Sequence, residues 1–425
     1  MDKITIVGGK QLCGRVKISG AKNAALALIC AGMLAKDKVV LENIPHIRDI
    51  QVVVEIIKNL GAEVNWPEKE TIEILPPNKL FNEAPYELVK QLRASNLLIG
   101  PLLARYGKAR VALPGGCNIG VRPMDLHFKG MRNLGAHISV KNGFVEGHSR
   151  RMIGARVYLD FPSVGATENI MMAACLASGQ TVIENVAREP EIVDLANFLN
   201  SMGARVRGAG TDVIKIEGVD ELAGGIRYAV IPDRIEAGTF MVAAAATHGD
   251  VVLENVISRH LEPLSAKLIE ANVKVEEING TLRVDGRREQ NAIDIKTMPY
   301  PGFPTDMQSQ MMSLLSTVSG TSIIVENIFE NRFQAAAELK RMGAHIKVEG
   351  RSAVIEGVPR LQGASVRATD LRAGAALVIA GLKAEGETYI SNPVYVDRGY
   401  QSLIEKLRLL GAELYRSELQ TEEML

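Results

Sequence analysis

Ile50-Gln51-Val52-Val53-Val54-Glu55-Ile56-Ile57-Lys58-Asn59-Leu60-Gly61-Ala62 reads as an amphipathic helix that stops on Leu-Gly-Ala. Its apolar residues Ile50, Val53, Val54, Ile57 and Leu60 fall at offsets 0, 3, 4, 7 and 10, one face of a helix. The stop recurs at Gly135, Gly203, Gly343 and Gly411, with a weaker copy at Asn272. The steps are 74, 68, 69, 71 and 68 residues, so six units of about 70 residues fill nearly the whole chain. The same stripe returns as Ile192, Leu195, Ala196, Leu199, Met202 and as Tyr400, Leu403, Ile404, Leu407, Leu410. Gly and Asn are the residues that best take a left-handed helix cap.

Each unit has an earlier half. An Ala-rich or Met-rich helix runs into an apolar strand, as in Asn23–Leu34 before Val39-Val40-Leu41 and Met307–Ser316 before Ser322-Ile323-Ile324-Val325. The strand usually ends in Glu-Asn, at Glu42-Asn43, Glu184-Asn185, Glu254-Asn255 and Glu326-Asn327. After the capped helix comes a polar-turned hairpin, as in Ala344–Val358 with its turn near Glu349-Gly350. A unit is thus helix, strand, helix, hairpin. One such unit cannot bury all its faces alone, so three grouped around shared buried helices make a domain and six make two.

The 425 residues agree with two or three domains at roughly 150 residues each. Lys plus Arg is 49 and Asp plus Glu is 49, a net charge of zero that opposes a broad nucleic-acid or membrane footprint. That balance also opposes a nucleic-acid clamp, the reading that a ring of repeats would otherwise suggest. The four cysteines, Cys13, Cys30, Cys117 and Cys175, form no CxxC pair, and no Cys/His cluster has zinc spacing, so no metal is expected. The start of the chain lacks an apolar signal core, and Ala24–Ala35 is too short to span a bilayer. The expectation is a cytoplasmic protein with reduced thiols.

Departures from the repeat mark candidate chemistry. Where other units carry strand-Glu-Asn, the second reads Leu113-Pro114-Gly115-Gly116-Cys117-Asn118-Ile119-Gly120-Val121-Arg122-Pro123-Met124-Asp125. Cys117 lies 18 residues before Gly135, just as Asn43 and Asn185 lie 18 before Gly61 and Gly203. A thiol on a Gly-rich turn, near Arg122 and ahead of a helix, reads as reactive, against the alternative of a buried structural cysteine. Burial is the expectation for Cys13, Cys30 and Cys175. Cations also stand at helix starts: Lys22, Arg93, Arg372, Arg122, Arg332 and Arg398. The helix dipole disfavours them there unless an anion binds. Either they build a site for a multiply charged substrate, or they pair with Asp370, Asp397 and Asp125. Asp306, after Pro301-Gly302-Phe303-Pro304-Thr305, is either an N-cap or a carboxylate aimed at a ligand. His127 shares an apolar stripe with Met124, Phe128 and Met131 and reads as packed.

These segments resemble the enolpyruvyl transferase family, in its UDP-N-acetylglucosamine branch, over essentially the whole chain. The resemblance rests on Gly20-Ala21-Lys22-Asn23-Ala24-Ala25-Leu26, Arg93-Ala94-Ser95, Pro114–Gly120 with Arg122-Pro123, and Ser163-Val164-Gly165-Ala166-Thr167. It continues in Arg188-Glu189-Pro190-Glu191, Pro232-Asp233-Arg234, Pro304-Thr305-Asp306-Met307-Gln308, Ala368-Thr369-Asp370-Leu371-Arg372 and Asp397-Arg398-Gly399-Tyr400. The shikimate branch is less similar: its Ser-Lys-Ser and Gly-Asn-Ala-Gly-Thr motifs are absent, and it has no equivalent of the Cys117 loop. One local departure is Phe161-Pro162, where some members carry Lys-Val.

The resemblance implies a two-domain inside-out α/β barrel of six βαβαββ repeats, three per domain. Residues 22–231 would carry the Cys117 loop, and residues 1–21 with 232–425 would carry Asp306 and Arg398. It implies transfer of the enolpyruvyl group of phosphoenolpyruvate to the 3'-hydroxyl of UDP-N-acetylglucosamine with release of phosphate, the first committed step of peptidoglycan synthesis. No cofactor, nucleic acid, membrane or obligate protein partner is implied. Lys22, Asn23, Arg122, Arg372 and Arg398 match the phosphoenolpyruvate site. Asn23, Arg93, Arg122, Pro123, Met124, Asp125, Leu126, Ser163, Val164, Gly165, Thr305, Asp306 and Ile328 match the sugar-nucleotide site. Asp306 matches the base for the hydroxyl and Cys117 the proton donor, with Lys22 and Arg398 completing the catalytic set.

Overall fold

The computed structural model describes residues 2–81, 84–113, 119–120 and 124–418. The chain divides into two compact units. Of the described residues, 20–81, 84–113 and 124–231 form one, and 2–19, 119–120 and 232–418 form the other.

The repeat governs both units. Every helix-stop residue read from the sequence has a left-handed backbone: φ is +107° at Gly61, +88° at Gly135, +97° at Gly203, +67° at Asn272, +92° at Gly343 and +95° at Gly411. Five of the six stops lead into a two-stranded hairpin, such as His345–Glu349 with Ser352–Glu356, and Gly411 leads into the single strand Glu413–Glu418, whose antiparallel partner is Asp2–Val7. The second strand of the hairpin pairs antiparallel with the strand that followed the first helix, here Thr321–Val325. That strand takes a parallel partner on its far side, here Ile295–Lys296. Five of the six sheets are four-stranded with this order, and the sheet of Lys108–Ala112, Phe144–His148 and His137–Lys141 has three strands among the described residues.

The chain shares strands across its length to complete this pattern. In the 20–231 unit, Val39–Glu42 takes its parallel partner from Ile226–Ala229. In the other, Asp250–Glu254 pairs with Cys13–Lys17, which precedes the whole inserted unit. The last sheet inserts Asp2–Val7 between Glu387–Ser391 and Glu413–Glu418. The first and last strands of the described chain thus lie side by side.

First helices are buried all round, as expected where every face meets protein. Ala24–Gly32, Ala166–Ala174, Ile235–Ala246 and Arg372–Leu382 are continuously buried. The strands alternate buried and exposed residues, so the helices fill the middle of each unit and the sheets face outward. Close helix approach needs small residues: Gly100 donates its N–H to Asn169 Oδ1 at 2.6 Å, and a Cβ on Gly100 would stand 2.3 Å from the Asn169 carbonyl oxygen.

The recurring Glu-Asn has a mechanical role. The side-chain amides of Asn43, Asn185, Asn255 and Asn327 donate to the carbonyls of Val230, Leu159, Ile18 and Thr297, at 2.7–3.0 Å. Each amide clasps the end of the neighbouring parallel strand. The preceding glutamate reaches diagonally to an arginine on that strand in three units: Glu42 to Arg227, Glu184 to Arg156 and Glu254 to Arg15. In the sixth unit both positions are serine, Ser391 and Ser365. The fifth keeps its glutamate, Glu326, but has Ile295 where the arginine would stand.

Cys13 was expected to be buried and is exposed. It lies on the outer strand of its sheet, where one row of side chains faces solvent.

Candidate active site

In the 20–231 unit the candidate residues stand at the starts of helices that pack on one another. Lys22 opens the helix Lys22–Gly32, whose cap residue Ala21 offers no side-chain acceptor. Its ammonium lies 3.2 Å from Asp49 Oδ2, with both side chains largely buried. Asp49 therefore offsets a cation that the helix dipole disfavours. The alternative of paired helix-start cations holds here with a carboxylate that the sequence reading did not name. Asn23, the next residue, is exposed.

Arg93 begins the 3-10 turn Arg93–Leu98 and is half-buried. Met124 and Leu126 are buried around the exposed Asp125, which opens the helix Asp125–Asn133. Ser163 caps Val164–Ala174, its Oγ accepting from the Ala166 N–H at 3.4 Å, and Val164 and Gly165 are half-buried behind it. Gly165 faces His127: a Cβ there would stand 3.3 Å from the ring Cε1. Arg93, His127 and the Ser163–Gly165 turn are thus brought together. Cys117, Arg122 and Pro123 lie outside the described residues.

His127 is buried, as its apolar stripe implies. Asn169 Oδ1 accepts from Gly100, which turns the Asn169 amide nitrogen to the Asn96 carbonyl at 2.9 Å and to His127 Nδ1 at 3.0 Å. Nδ1 is therefore an acceptor and the ring is neutral. Burial, then the charge of Arg93, lowers its pKa to about 4 from an ordinary 6.5. Between those values the unfolded chain binds a proton that the folded chain refuses. Stability held by neutral His127 is present above pH 6.5 and is lost as the pH falls toward 4, by up to about 3 kcal/mol. Between pH 7 and pH 5 the urea midpoint of His127→Gln should fall less than that of the parent. An equal fall in both would rule this out.

In the other unit Asp306 sits in the 3-10 turn Thr305–Met307, which leads into the helix Gln308–Leu315. Its Oδ1 accepts from Arg332 Nη2 at 2.7 Å and its Oδ2 from Arg372 Nη2 at 2.9 Å. The arginine side chains are 2% and 5% exposed, against 27% for the carboxylate. The N-cap alternative does not describe this group, because its oxygens face two guanidinium groups. Arg372 also donates to Tyr400 Oη at 3.2 Å, and Tyr400 Oη lies 3.0 Å from Thr239 Oγ1. Burial opposes the charge of Arg372, but Asp306, Tyr400 and Asp233 outweigh it and hold its pKa above the ordinary value. Asp370 instead caps the helix Leu371–Lys383 through the N–H groups of Arg372 and Ala373.

Thr305 donates its hydroxyl to Glu326 Oε2 at 3.0 Å. Ile328, half-buried, donates its N–H to Glu326 Oε1 at 2.8 Å. Arg398 is half-buried at the end of the short helix Val394–Asp397, two residues before Tyr400, while Asp397 accepts from Arg416 at 2.9 Å. The sequence carries no signal for Asp49 or for the Arg372–Tyr400 link, and it shows Glu326 only as part of a recurring strand ending. Tyr400, which its spacing puts on an apolar helix stripe, instead precedes the regular helix, which begins at Leu403 after Ser402 in a left-handed conformation. Among the described residues no group of His, Cys, Asp and Glu could hold a metal ion, and no helix is long and apolar enough to cross a membrane.

A carboxylate between arginines, and a lysine with an arginine at helix starts, suit chemistry on anionic substrates. The family model of EPSP synthase (3-phosphoshikimate 1-carboxyvinyltransferase) matches residues 6–407. The chain belongs to this family, the enolpyruvyl transferases. Among its relatives, UDP-N-acetylglucosamine 1-carboxyvinyltransferase 1 of Caldanaerobacter subterraneus subsp. tengcongensis is 58% identical over 417 residues, 97% of this chain and 99% of that one. UDP-N-acetylglucosamine 1-carboxyvinyltransferase 2 of Carboxydothermus hydrogenoformans is 58% identical over 418 residues, 98% of this chain and 99% of that one. Among solved structures, the enolpyruvyl transferase NikO from Streptomyces tendae superimposes with a TM-score of 0.89 at 26% identity, covering 98% of this chain and 99% of that one. EPSP synthase from Acinetobacter baumannii shares the fold, with a TM-score of 0.77 at 22% identity over 98% of this chain and 100% of that one. The enolpyruvyl transferase fold of this chain is thus a two-domain inside-out α/β barrel built from a sixfold repeat.

Proposed function

We propose that this enolpyruvyl transferase passes the enolpyruvyl group of phosphoenolpyruvate to the 3'-hydroxyl of UDP-N-acetylglucosamine and releases phosphate, the first committed step of peptidoglycan synthesis. The observation that carries the reading is the 54–58% identity, over nearly the full chain, to relatives named for that activity. Both substrates are metabolites of the cytoplasm, and we place the reaction there.

The chemistry is an addition followed by an elimination. In the addition, C3 of phosphoenolpyruvate gains a proton while the sugar hydroxyl bonds to C2 and gives up its own. In the elimination, C2 loses phosphate and C3 loses a proton, restoring the double bond. We assign Cys117 as the donor to C3 and Asp306 as the base for the hydroxyl, each a general acid–base role. Lys22, Asn23, Arg122 and Arg398 hold phosphoenolpyruvate, and Arg372 adds its charge while keeping its hydrogen bonds to Asp306 and Tyr400. Arg93, Arg122 to Leu126, Ser163 to Gly165, Thr305, Asp306 and Ile328 receive the sugar nucleotide together with Asn23. Clustered Lys and Arg suit two substrates that each carry several negative charges.

Phosphate release is the test. Release should need both phosphoenolpyruvate and UDP-N-acetylglucosamine, and shikimate 3-phosphate should not replace the sugar nucleotide. Release with shikimate 3-phosphate alone as acceptor would assign the chain to the other branch.

A further inference from the structure

Glu326 breaks the repeat in a way that folding does not require. Where the glutamate of this position serves the sheet, it reaches out to an arginine on the parallel strand and stays partly exposed: the side chains of Glu42, Glu184 and Glu254 are 37%, 23% and 41% exposed. Where the arginine is absent, in the sixth unit, the glutamate is absent too, and serine stands in both places. The fifth unit alone keeps the carboxylate with an isoleucine opposite, and Glu326 is fully buried. Burying a carboxylate without a cation is unfavourable unless hydrogen bonds compensate. Three do: the Thr305 hydroxyl to Oε2 at 3.0 Å, and the N–H groups of Ile328 and Phe329 to Oε1 at 2.8 and 3.1 Å. One side chain thus joins the turn that bears Asp306 to the backbone of the loop that bears Ile328.

We propose that Glu326 is a positioning residue, which holds the Thr305-Asp306 turn and the Ile328-Phe329 backbone in the one relative placement that receives the sugar nucleotide. This rests on the reading of the site given above. Glu326 touches no reacting atom. It acts through Thr305 and Ile328, so its removal bears on one substrate more than on the other. A sheet element would act otherwise: it would change stability and leave the two Michaelis constants in proportion.

The variants are Glu326→Ala, Glu326→Gln and Thr305→Val, with KM measured separately for each substrate and the thermal midpoint as a check on folding. Glu326→Ala leaves three donors without their acceptor and is expected to raise KM for UDP-N-acetylglucosamine about tenfold or more. KM for phosphoenolpyruvate should move less than about twofold, well under the effect of one lost hydrogen bond. In Glu326→Gln the amide oxygen still accepts from both backbone N–H groups and the Thr305 hydroxyl turns to accept, so KM should return to within about threefold of the parent. Thr305→Val added to Glu326→Ala should cost less than the two effects combined, because both act on one link. If Glu326→Ala cannot fold, Glu326→Gln and Thr305→Val decide alone: Thr305→Val raises only the sugar-nucleotide KM and Glu326→Gln stays near the parent. Equal shifts in both Michaelis constants, or none, would overturn the proposal. A parent enzyme that releases no phosphate with these substrates would instead overturn the reading beneath it.

Discussion

Asp306→Ala is expected to lower turnover by about 10²–10⁴-fold, the range of general acid–base catalysis, and to lower the thermal midpoint as well. The first effect follows from the proposed removal of the base for the sugar hydroxyl. The second follows from its partners. Arg332 and Arg372 are almost wholly buried, and each directs a guanidinium nitrogen at Asp306. Their Nε atoms are buried and have no hydrogen-bond partner among the described residues, so Asp306 is the main compensation for two desolvated charges. Removing one partner of such an arrangement costs about 3–5 kcal/mol. Asp306→Asn separates the two roles: its amide oxygen still accepts from one guanidinium, so it should melt above the alanine variant while remaining as inactive. Phosphate release and thermal melts of the three proteins check this. Turnover surviving within about threefold, well short of the general-base range, would exclude the base role, and an unchanged melt would exclude the ion-pair argument.

Cys117 is expected to be the thiol that an epoxide phosphonate resembling phosphoenolpyruvate, such as fosfomycin, alkylates. The Gly-rich turn, Arg122 and the following helix start favour thiolate and access. The structure removes two competitors. Burial, then the charge of Glu168, pushes the Cys30 thiol far above its ordinary range, and burial pushes Cys175 up to about 12. Cys175 also spends its S–H on the Met171 carbonyl at 3.3 Å. Cys13 is exposed and becomes the internal control, since general thiol reagents reach it without any help from phosphonate-binding cations. Peptide mass mapping should place the phosphonate adduct on Cys117, more completely with UDP-N-acetylglucosamine present, and leave Cys13 unmodified. Cys117→Asp should abolish labelling and retain part of the turnover, because a carboxylic acid can still donate a proton. An adduct on Cys13 would mean that exposure, not the site, selects the thiol.

The sixfold organisation was legible because its signals are local. A glycine or asparagine ends each second helix, and nothing beyond ten residues is needed to see why Gly61 or Asn272 stands there. The helix-start cations and Asp306 were legible for the same reason, as breaks in a period. Their partners were not. Asp306 meets Arg332 and Arg372 across 26 and 66 residues of chain, and Lys22 meets Asp49 across 27. Such pairings depend on which helix starts the barrel brings together, which periodicity does not encode. The Glu-Asn strand ending was visible four times, but its meaning lay in the parallel strand beside it. In two of those units that strand is distant in sequence, Val230 for Asn43 and Ile18 for Asn255. Cys13 was misread because an apolar neighbour, Leu12, says nothing about whether a strand is the outer one of its sheet.

The sharing of strands between distant parts of the chain sets an order on synthesis. Asp2–Val7 and Cys13–Lys17 leave the ribosome well before their partners, which are Asp250–Glu254, Glu387–Ser391 and Glu413–Glu418. At about 5–20 residues per second the earliest strand waits on the order of 20–80 s for its neighbours to exist. The unit of residues 20–231 draws all its described strands from its own span and can close while the remainder is still being made. Nascent chains halted after residue 231 should therefore hold one protease-resistant body behind a cleavable leader, with Cys13–Lys17 gaining protection only after Asp250–Glu254 has emerged and Asp2–Val7 only after Glu387–Ser391 and Glu413–Glu418 have.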